Sequence, residues 1–181
     1  MGERLTRAAA EQLENGNVRL TASSAGTQAV VGRSMEPSSA LVLQGLGGDP
    51  TGFTARQLVA ATVDEVDLVL VMTETHREVV LRESPRAMNR TFLLREAASL
   101  VPEVTRLRGA GGLEVVEELQ RARARRLRSP RGEDDVADPM GRSIDVHQAV
   151  GEQIAGALIP LLHALAGSPR RPGVARRAAP M

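Results

Sequence analysis

No cysteine and no lysine occur in the 181 residues, tyrosine and tryptophan are absent, and phenylalanine appears twice. Each absence excludes something. Without cysteine the chain holds no disulfide, no thiol nucleophile and no thiolate metal ligand. With aromatics at 1% and hydrophobic residues at 42%, the core has to be built from Leu, Val, Ala and Ile in close aliphatic contact. All 23 basic residues are Arg, and against 22 acids they leave a formal net charge of +1, too small for whole-surface attraction to nucleic acid. Long apolar runs are lacking as well. The longest, Ala157 to Gly167, is interrupted by Pro160 and His163 and is shorter than the stretch of about 18 residues that reads as a membrane span. The N-terminus mixes charged and apolar residues, with no apolar core of the kind a secretory signal needs. The expectation is one globular domain in a soluble, cytoplasmic protein.

Periodicity places the elements. Leu5, Ala8, Ala9 and Leu13 recur at helical spacing over residues 2 to 14, and Asn15-Gly16 supplies a stop. Val18, Leu20 and Ala22 alternate with Arg19 and Thr21 into Ser23-Ser24-Ala25-Gly26-Thr27, which predicts a strand ending in small residues. Glu36-Pro37 opens a helix that Gly45, Gly47 and Gly48 close. The spacing predicts a short helix over Phe53 to Ala61 and a buried parallel strand over Val66 to Met72. Thr73 is placed to cap a helix ending at Ser84-Pro85. Thr91 to Leu94 reads as a strand, and Arg95 to Leu100 as a helix. Leu113, Val116 and Leu119 mark a helix that becomes Arg-dense at Arg121, Arg123, Arg125, Arg126 and Arg128. A last helix starts near Ile144 and passes Pro160, where a kink is expected. The domain is placed at residues 1–166, with a basic tail over 167–181 expected to be disordered. Strands alternating with helices predict an α/β fold, a parallel sheet covered by helices on both faces in three layers.

Chemistry concentrates in Asp134-Asp135-Val136-Ala137-Asp138-Pro139, three carboxylates within five residues, the last held before a proline. A residue preceding proline is kept out of the helical region and displayed on an extended or turning loop. That suits a proton donor leaning over a bound substrate, although Asp-Pro followed by Met140-Gly141 also describes an ordinary surface turn. His76, His147 and His163 follow no metal-ligand spacing, so no metal and no cofactor is predicted. The Arg-rich stretch from Arg121 to Arg131 and the tail arginines Arg170, Arg171, Arg176 and Arg177 lack aromatic neighbours for base stacking. Nucleic acid is not an expected partner on that reading.

Several stretches in one order carry a resemblance: Met1-Gly2-Glu3 leading an Ala-rich helix, Ser24-Ala25-Gly26-Thr27, Ala55-Arg56-Gln57-Leu58, Asp67-Leu68-Val69-Leu70-Val71-Met72 with His76 four residues on, and Asp134 to Pro139. Together, over about residues 1 to 166, they resemble the low-molecular-weight protein-tyrosine-phosphatase family. The resemblance implies the phosphotyrosine phosphatase I-like fold and hydrolysis of phosphotyrosine proteins or small aryl phosphates through a cysteinyl-phosphate. It also implies that Asp138 is the general acid and Asp135 the supporting acid ahead of it. Phe53 stands where members often have His.

The family's Cys-x5-Arg-Ser loop lies between its first strand and first helix, and the resemblance sets Met1 where that helix is just under way. The first strand, central in the implied order 2-1-3-4, the nucleophile and the phosphate-gripping Arg are then expected ahead of residue 1. Such a loop wraps phosphate with backbone N–H groups at a helix N-terminus and lowers its Cys pKa. Residues 1–181 are therefore expected to be inactive alone, with a start site assigned too far downstream as the preferred explanation. The alternative is a non-catalytic, phosphatase-like binding or regulatory protein. Arsenate reductases of the same fold rank lower, because they need further redox cysteines.

Overall fold

The computed structural model describes residues 1–13, 19–105, 111–126 and 132–167. Seven helices and two strands occur among them in the order α1 Gly2–Leu13, α2 Pro37–Gly45, α3 Ala60–Asp64, β1 Val69–Val71, α4 Glu74–Glu83, a 3₁₀ turn Pro85–Arg90, β2 Thr91–Leu93, α5 Leu94–Val104, α6 Leu113–Arg125 and α7 Ile144–Ala166. The ends follow capping chemistry. The Thr73 side chain accepts the His76 N–H at the start of α4, and the Glu36 carboxylate accepts the Ser39 N–H at the start of α2, where Pro37 occupies the first turn.

β1 and β2 pair in parallel, Val69 with Thr91, Leu70 with Phe92 and Val71 with Leu93, with α4 in the crossover between them. Side chains alternate across the two faces, and each face has its own core. Phe92, fully buried, and Leu70 join Leu43 of α2, Leu5 of α1 and the apolar faces of α5, α6 and α7. Val69, Val71 and Leu93 join Val63 of α3, Val80 of α4 and Ala87 of the 3₁₀ turn. The result is the expected three-layer α/β arrangement. In place of aromatic bulk the larger core uses aliphatic side chains, and its one Phe is overlaid by the Arg123 guanidinium 4.1 Å from the ring centroid. Arg123 also donates to the carbonyls of Thr91, Met88 and Asn89 at 2.7, 3.1 and 3.1 Å, tying α6 to the start of β2.

Three expectations are corrected. Residues 19–25 form no strand, and Val18 lies outside the described residues. A strand exists only with a partner ladder, and the Ala22 and Ser24 carbonyls instead receive N–H groups from the side chains of Arg7 and Arg56. Gly26 alone pairs, in an isolated parallel bridge to Gln57. That bridge also displaces the helix expected over Phe53 to Ala61: residues 53–59 stay irregular, held by Ala55 N–H to the Arg33 carbonyl at 2.8 Å and Leu58 N–H to the Gly26 carbonyl at 2.9 Å. A helix forms at Ala60–Asp64 instead. The strand runs are also shorter than the apolar runs that predicted them, three residues each.

α7 spans the stretch expected of the last helix. It continues through Pro160 to Ala166, and Pro160 and Gly156, whose carbonyl the proline leaves without a helical donor, are both exposed, so water can meet that carbonyl. By length and composition α7 could cross a membrane, yet 56% of its apolar window is buried inside the domain, as expected of a core helix. Asn15, Gly16, Arg128, Arg131 and the tail beyond Gly167 lie outside the described residues.

Candidate active site

In open α/β sheets ligands gather beyond the carboxyl ends of parallel strands. The loop carrying the three aspartates crosses this edge. Val136 is buried, 2% exposed, and its N–H donates to the carbonyl of Met72, just past β1, at 2.7 Å. The Asp135 carboxylate accepts the Glu74 N–H at 2.9 Å, satisfying one of the open donors at the start of α4. From just past β2, Arg95 Nη1 donates to the Glu133 carbonyl at 2.8 Å and approaches that of Asp135 at 3.4 Å. An Asp135 N–H to Gly132 carbonyl bond of 3.2 Å closes the turn, with Gly132 at φ +84, a conformation glycine adopts without strain.

The two acids named from sequence therefore occupy one loop but face different tasks. Asp135 is half-buried and turned to α4. Asp138 is exposed, and its Oδ1 accepts the Met140 N–H at 3.0 Å, with no partner for its other oxygen among the described residues. A carboxyl group displayed in that way can pass a proton to a bound leaving oxygen or take one from water.

The other stretches singled out in the sequence also meet. Gly26 donates to the Arg56 carbonyl at 2.9 Å, the Gln57 amide accepts from Ala29 N–H at 3.1 Å and donates to the Thr27 carbonyl at 2.9 Å, and the Ser24 hydroxyl donates to the Glu3 carboxylate. These contacts join the Ser24–Thr27 run, the Ala55–Leu58 run and α1. Phe53 lies under the Arg4 guanidinium, 5.9 Å from its ring centroid.

The histidines are dispersed. His76 sits half-buried in the first turn of α4, and His163 is exposed on α7. His147, 1% exposed, meets the Ser39 hydroxyl at 3.0 Å and the Glu36 carboxylate at 3.5 Å through the same Nδ1. Because both partners converge on one ring nitrogen, the group fastens α2 to α7 and does not relay a proton from serine to carboxylate, which would need both nitrogens. The N–H of Ser39, more than any other influence, holds the Glu36 carboxyl below its ordinary range.

Sequence reading missed Arg95. Its one signal is position: a charged residue directly after the apolar run Thr91 to Leu94, at the edge where ligands gather. The Arg-rich face of α6 is largely neutralised, since Arg121 pairs with Glu117 and Glu118 at 3.1 and 3.0 Å and Arg125 with Glu118 and Glu103 at 2.9 and 3.5 Å. Glu118 lies between the two guanidiniums, which lower its pKa.

Comparison with known proteins matches this architecture. Residues 1–103 fit the family model described as low molecular weight phosphotyrosine protein phosphatase. The probable low molecular weight protein-tyrosine-phosphatase AmsI of Erwinia amylovora is 33% identical over 92 residues, 51% of this chain and 59% of that protein. The match thus spans less than two thirds of the curated relative. Among solved structures, the AmsI tyrosine phosphatase of Erwinia amylovora superposes with a TM-score of 0.65 at 24% identity, covering 91% of this chain and 82% of that one. The low molecular weight protein tyrosine phosphatase of T. tengcongensis gives 0.65 at 22% identity, over 88% and 86%. Wzb of Vibrio vulnificus, solved with benzylphosphonate, gives 0.59 at 20%, over 87% and 83%. At these identities the structures establish the shared fold, and the family model, spanning more than half of the chain, establishes the kinship. The chain belongs to the low-molecular-weight phosphotyrosine protein phosphatase family.

Proposed function

We propose that residues 1–181 form the scaffold and acid loop of a phosphatase acting on phosphotyrosine proteins or small aryl phosphates, with the thiolate loop encoded ahead of residue 1. One observation carries the reading: a loop fastened at the carboxyl edge of the sheet presents an exposed Asp138 in a chain of this family. The relatives support the substrate class, since AmsI is named a tyrosine phosphatase and Wzb was solved with benzylphosphonate.

In the proposed reaction a thiolate attacks phosphorus and the bond from phosphorus to the aryl oxygen breaks. Asp138, protonated, gives its proton to the departing phenolate. The resulting carboxylate then takes a proton from water as that water attacks the phosphocysteine, releasing inorganic phosphate. General acid help contributes about 10²–10⁴ in rate. Phosphate monoesters are among the slowest substrates without catalysis, so an acid with no thiolate and no phosphate cradle gives no useful turnover.

A second reading has an observation of its own. Arg7 and Arg56 satisfy the Ala22 and Ser24 carbonyls, so part of this backbone has partners without a further strand, as a stable non-catalytic binding or regulatory protein would require. Reading the in-frame codons upstream of Met1 and assaying the encoded protein against an aryl phosphate separates the two. A Cys-x5-Arg-Ser run leading into Met1, with turnover, supports the enzyme; unrelated sequence or a stop supports the binding protein.

A further inference from the structure

We propose that Arg95 is a positioning residue that sets where Asp138 stands. The inference rests on the reading of Asp138 as the general acid, but the latch itself is a matter of geometry. Before entering α7 at Ile144, the described loop passes the carboxyl ends of both strands. Three contacts fasten it within four residues, Arg95 to the Glu133 and Asp135 carbonyls, Asp135 to the Glu74 N–H, and Val136 N–H to the Met72 carbonyl. The last two hold the loop to the end of β1 and the start of α4. Arg95 alone among them reaches it from the end of β2, so it decides the rotation of the loop about the Val136 anchor.

The chemistry favours arginine for this task. A planar guanidinium offers several donors in fixed directions and can hold two carbonyls at once, whereas an ammonium is a point charge on a flexible stem. Both carbonyls would otherwise be met by water, which imposes no orientation. The Asp135 carbonyl and the Val136 N–H belong to one peptide plane, so Arg95 and the Met72 carbonyl together fix the orientation of the backbone two residues ahead of Asp138. A misplacement of about 1 Å can cost a catalytic group about 10² in rate.

The first test uses residues 1–181 directly, by amide hydrogen exchange in the wild type, Arg95→Gln and Arg95→Lys. In Arg95→Gln, exchange at Val136 and Glu74 should quicken by about ten- to a hundredfold, the range expected when a charge-assisted bond is lost. The amides of Leu100 and Ile154 should keep their protection, which shows that the variant is folded. Arg95→Lys should recover part of the Val136 protection, because an ammonium can donate to the same carbonyls that Nη1 meets but on a flexible stem without the fixed directions of the guanidinium. Unchanged exchange at Val136 and Glu74 in Arg95→Gln overturns the latch.

The second test uses the chain extended through an upstream thiol loop. There Arg95→Gln should lower kcat/KM, which reports the steps up to loss of the phenol and not hydrolysis of the phosphocysteine, for aryl phosphates with poorly acidic phenols while sparing strongly acidic phenols, which leave without a proton. Equal loss on both phenol classes makes Arg95 merely structural and overturns its positioning role. An inactive extended wild type refutes the phosphatase reading instead, an outcome distinct from any exchange result.

Discussion

The Arg56 guanidinium donates to the Ser24 carbonyl through both Nε and Nη2, at 3.3 and 2.9 Å. Fifteen residues apart in sequence, Arg7 does the same for the Ala22 carbonyl, at 3.3 Å from each of two nitrogens. Two carbonyls spaced as a strand would space them are thus met by side chains in place of a neighbouring strand. Arg56→Ala should therefore cost about 0.5–1.5 kcal/mol, the ordinary net value of hydrogen bonds near a surface. Urea unfolding checks it, and a loss below a few tenths would mean that water replaces the guanidinium freely.

Two glycines of α7 make a paired test of packing against propensity. At Gly151 a Cβ would lie 2.5 Å from Val42 Cγ1, 3.1 Å from Leu46 Cδ1 and 3.3 Å from Met1 Sδ, and Val42 is buried, with a short, β-branched side chain that is stiff at χ1. Overpacking of about 1–3 kcal/mol should outweigh the gain of up to about 1 kcal/mol that alanine brings to a helix. Gly156 has nothing within 4 Å of its would-be Cβ. Gly151→Ala should lower the midpoint of thermal unfolding and Gly156→Ala should raise it; the same sign for both would refute the contact between α2 and α7.

The Met1 amine offers a pH test. Burial pulls its pKa below the ordinary 8.0, with Glu3 opposing and Arg4 reinforcing the shift, and a positive charge at the start of α1 is also disfavoured by the helix dipole. Between the lowered folded value and 8.0 the unfolded chain binds more protons than the folded one, so stability rises with pH through that window. Below the window the folded state carries the full cost, and above it the cost is gone. Blocking the amine by acetylation should stabilise residues 1–181 below the window and flatten the slope within it, as read from unfolding between pH 6 and 9 on the order of one unit apart. An unchanged slope after blocking would show that the amine is solvated.

Ser39→Ala removes the closest partner of the buried His147 Nδ1, leaving Glu36 at 3.5 Å. An unsatisfied buried nitrogen costs about 1–3 kcal/mol, and denaturant unfolding should show a loss in that range. A neutral result would mean that Glu36 moves in to replace the hydroxyl.

Legibility in the sequence followed the range of the forces involved. Helices set by a local apolar stripe and a cap were placed closely, as at Thr73, Ser84 and Glu36-Pro37. Val66 to Met72 and Thr91 to Leu94 were recognised as strands because buried parallel strands are apolar throughout, yet their ends were not, since pairing, a long-range property, decides where a strand stops. The alternation at residues 18–22 predicted a strand for the same local reason and failed because its ladder partner was a matter of the whole sheet. The display of Asp138 on an exposed turn was legible through its proline. Arg95 was not, because nothing near it in sequence shows that its target carbonyls lie at Glu133 and Asp135.

Aryl phosphate hydrolysis in two proteins, residues 1–181 and the product extended through the in-frame upstream codons, tests the proposed acid loop and its upstream thiolate. No turnover is expected from the first and turnover from the second, with Asp138→Asn reducing kcat/KM for a poorly acidic phenol by about 10²–10⁴. Turnover that survives Asp138→Asn unchanged, or an extended product with no thiol and no activity, would contradict that proposal.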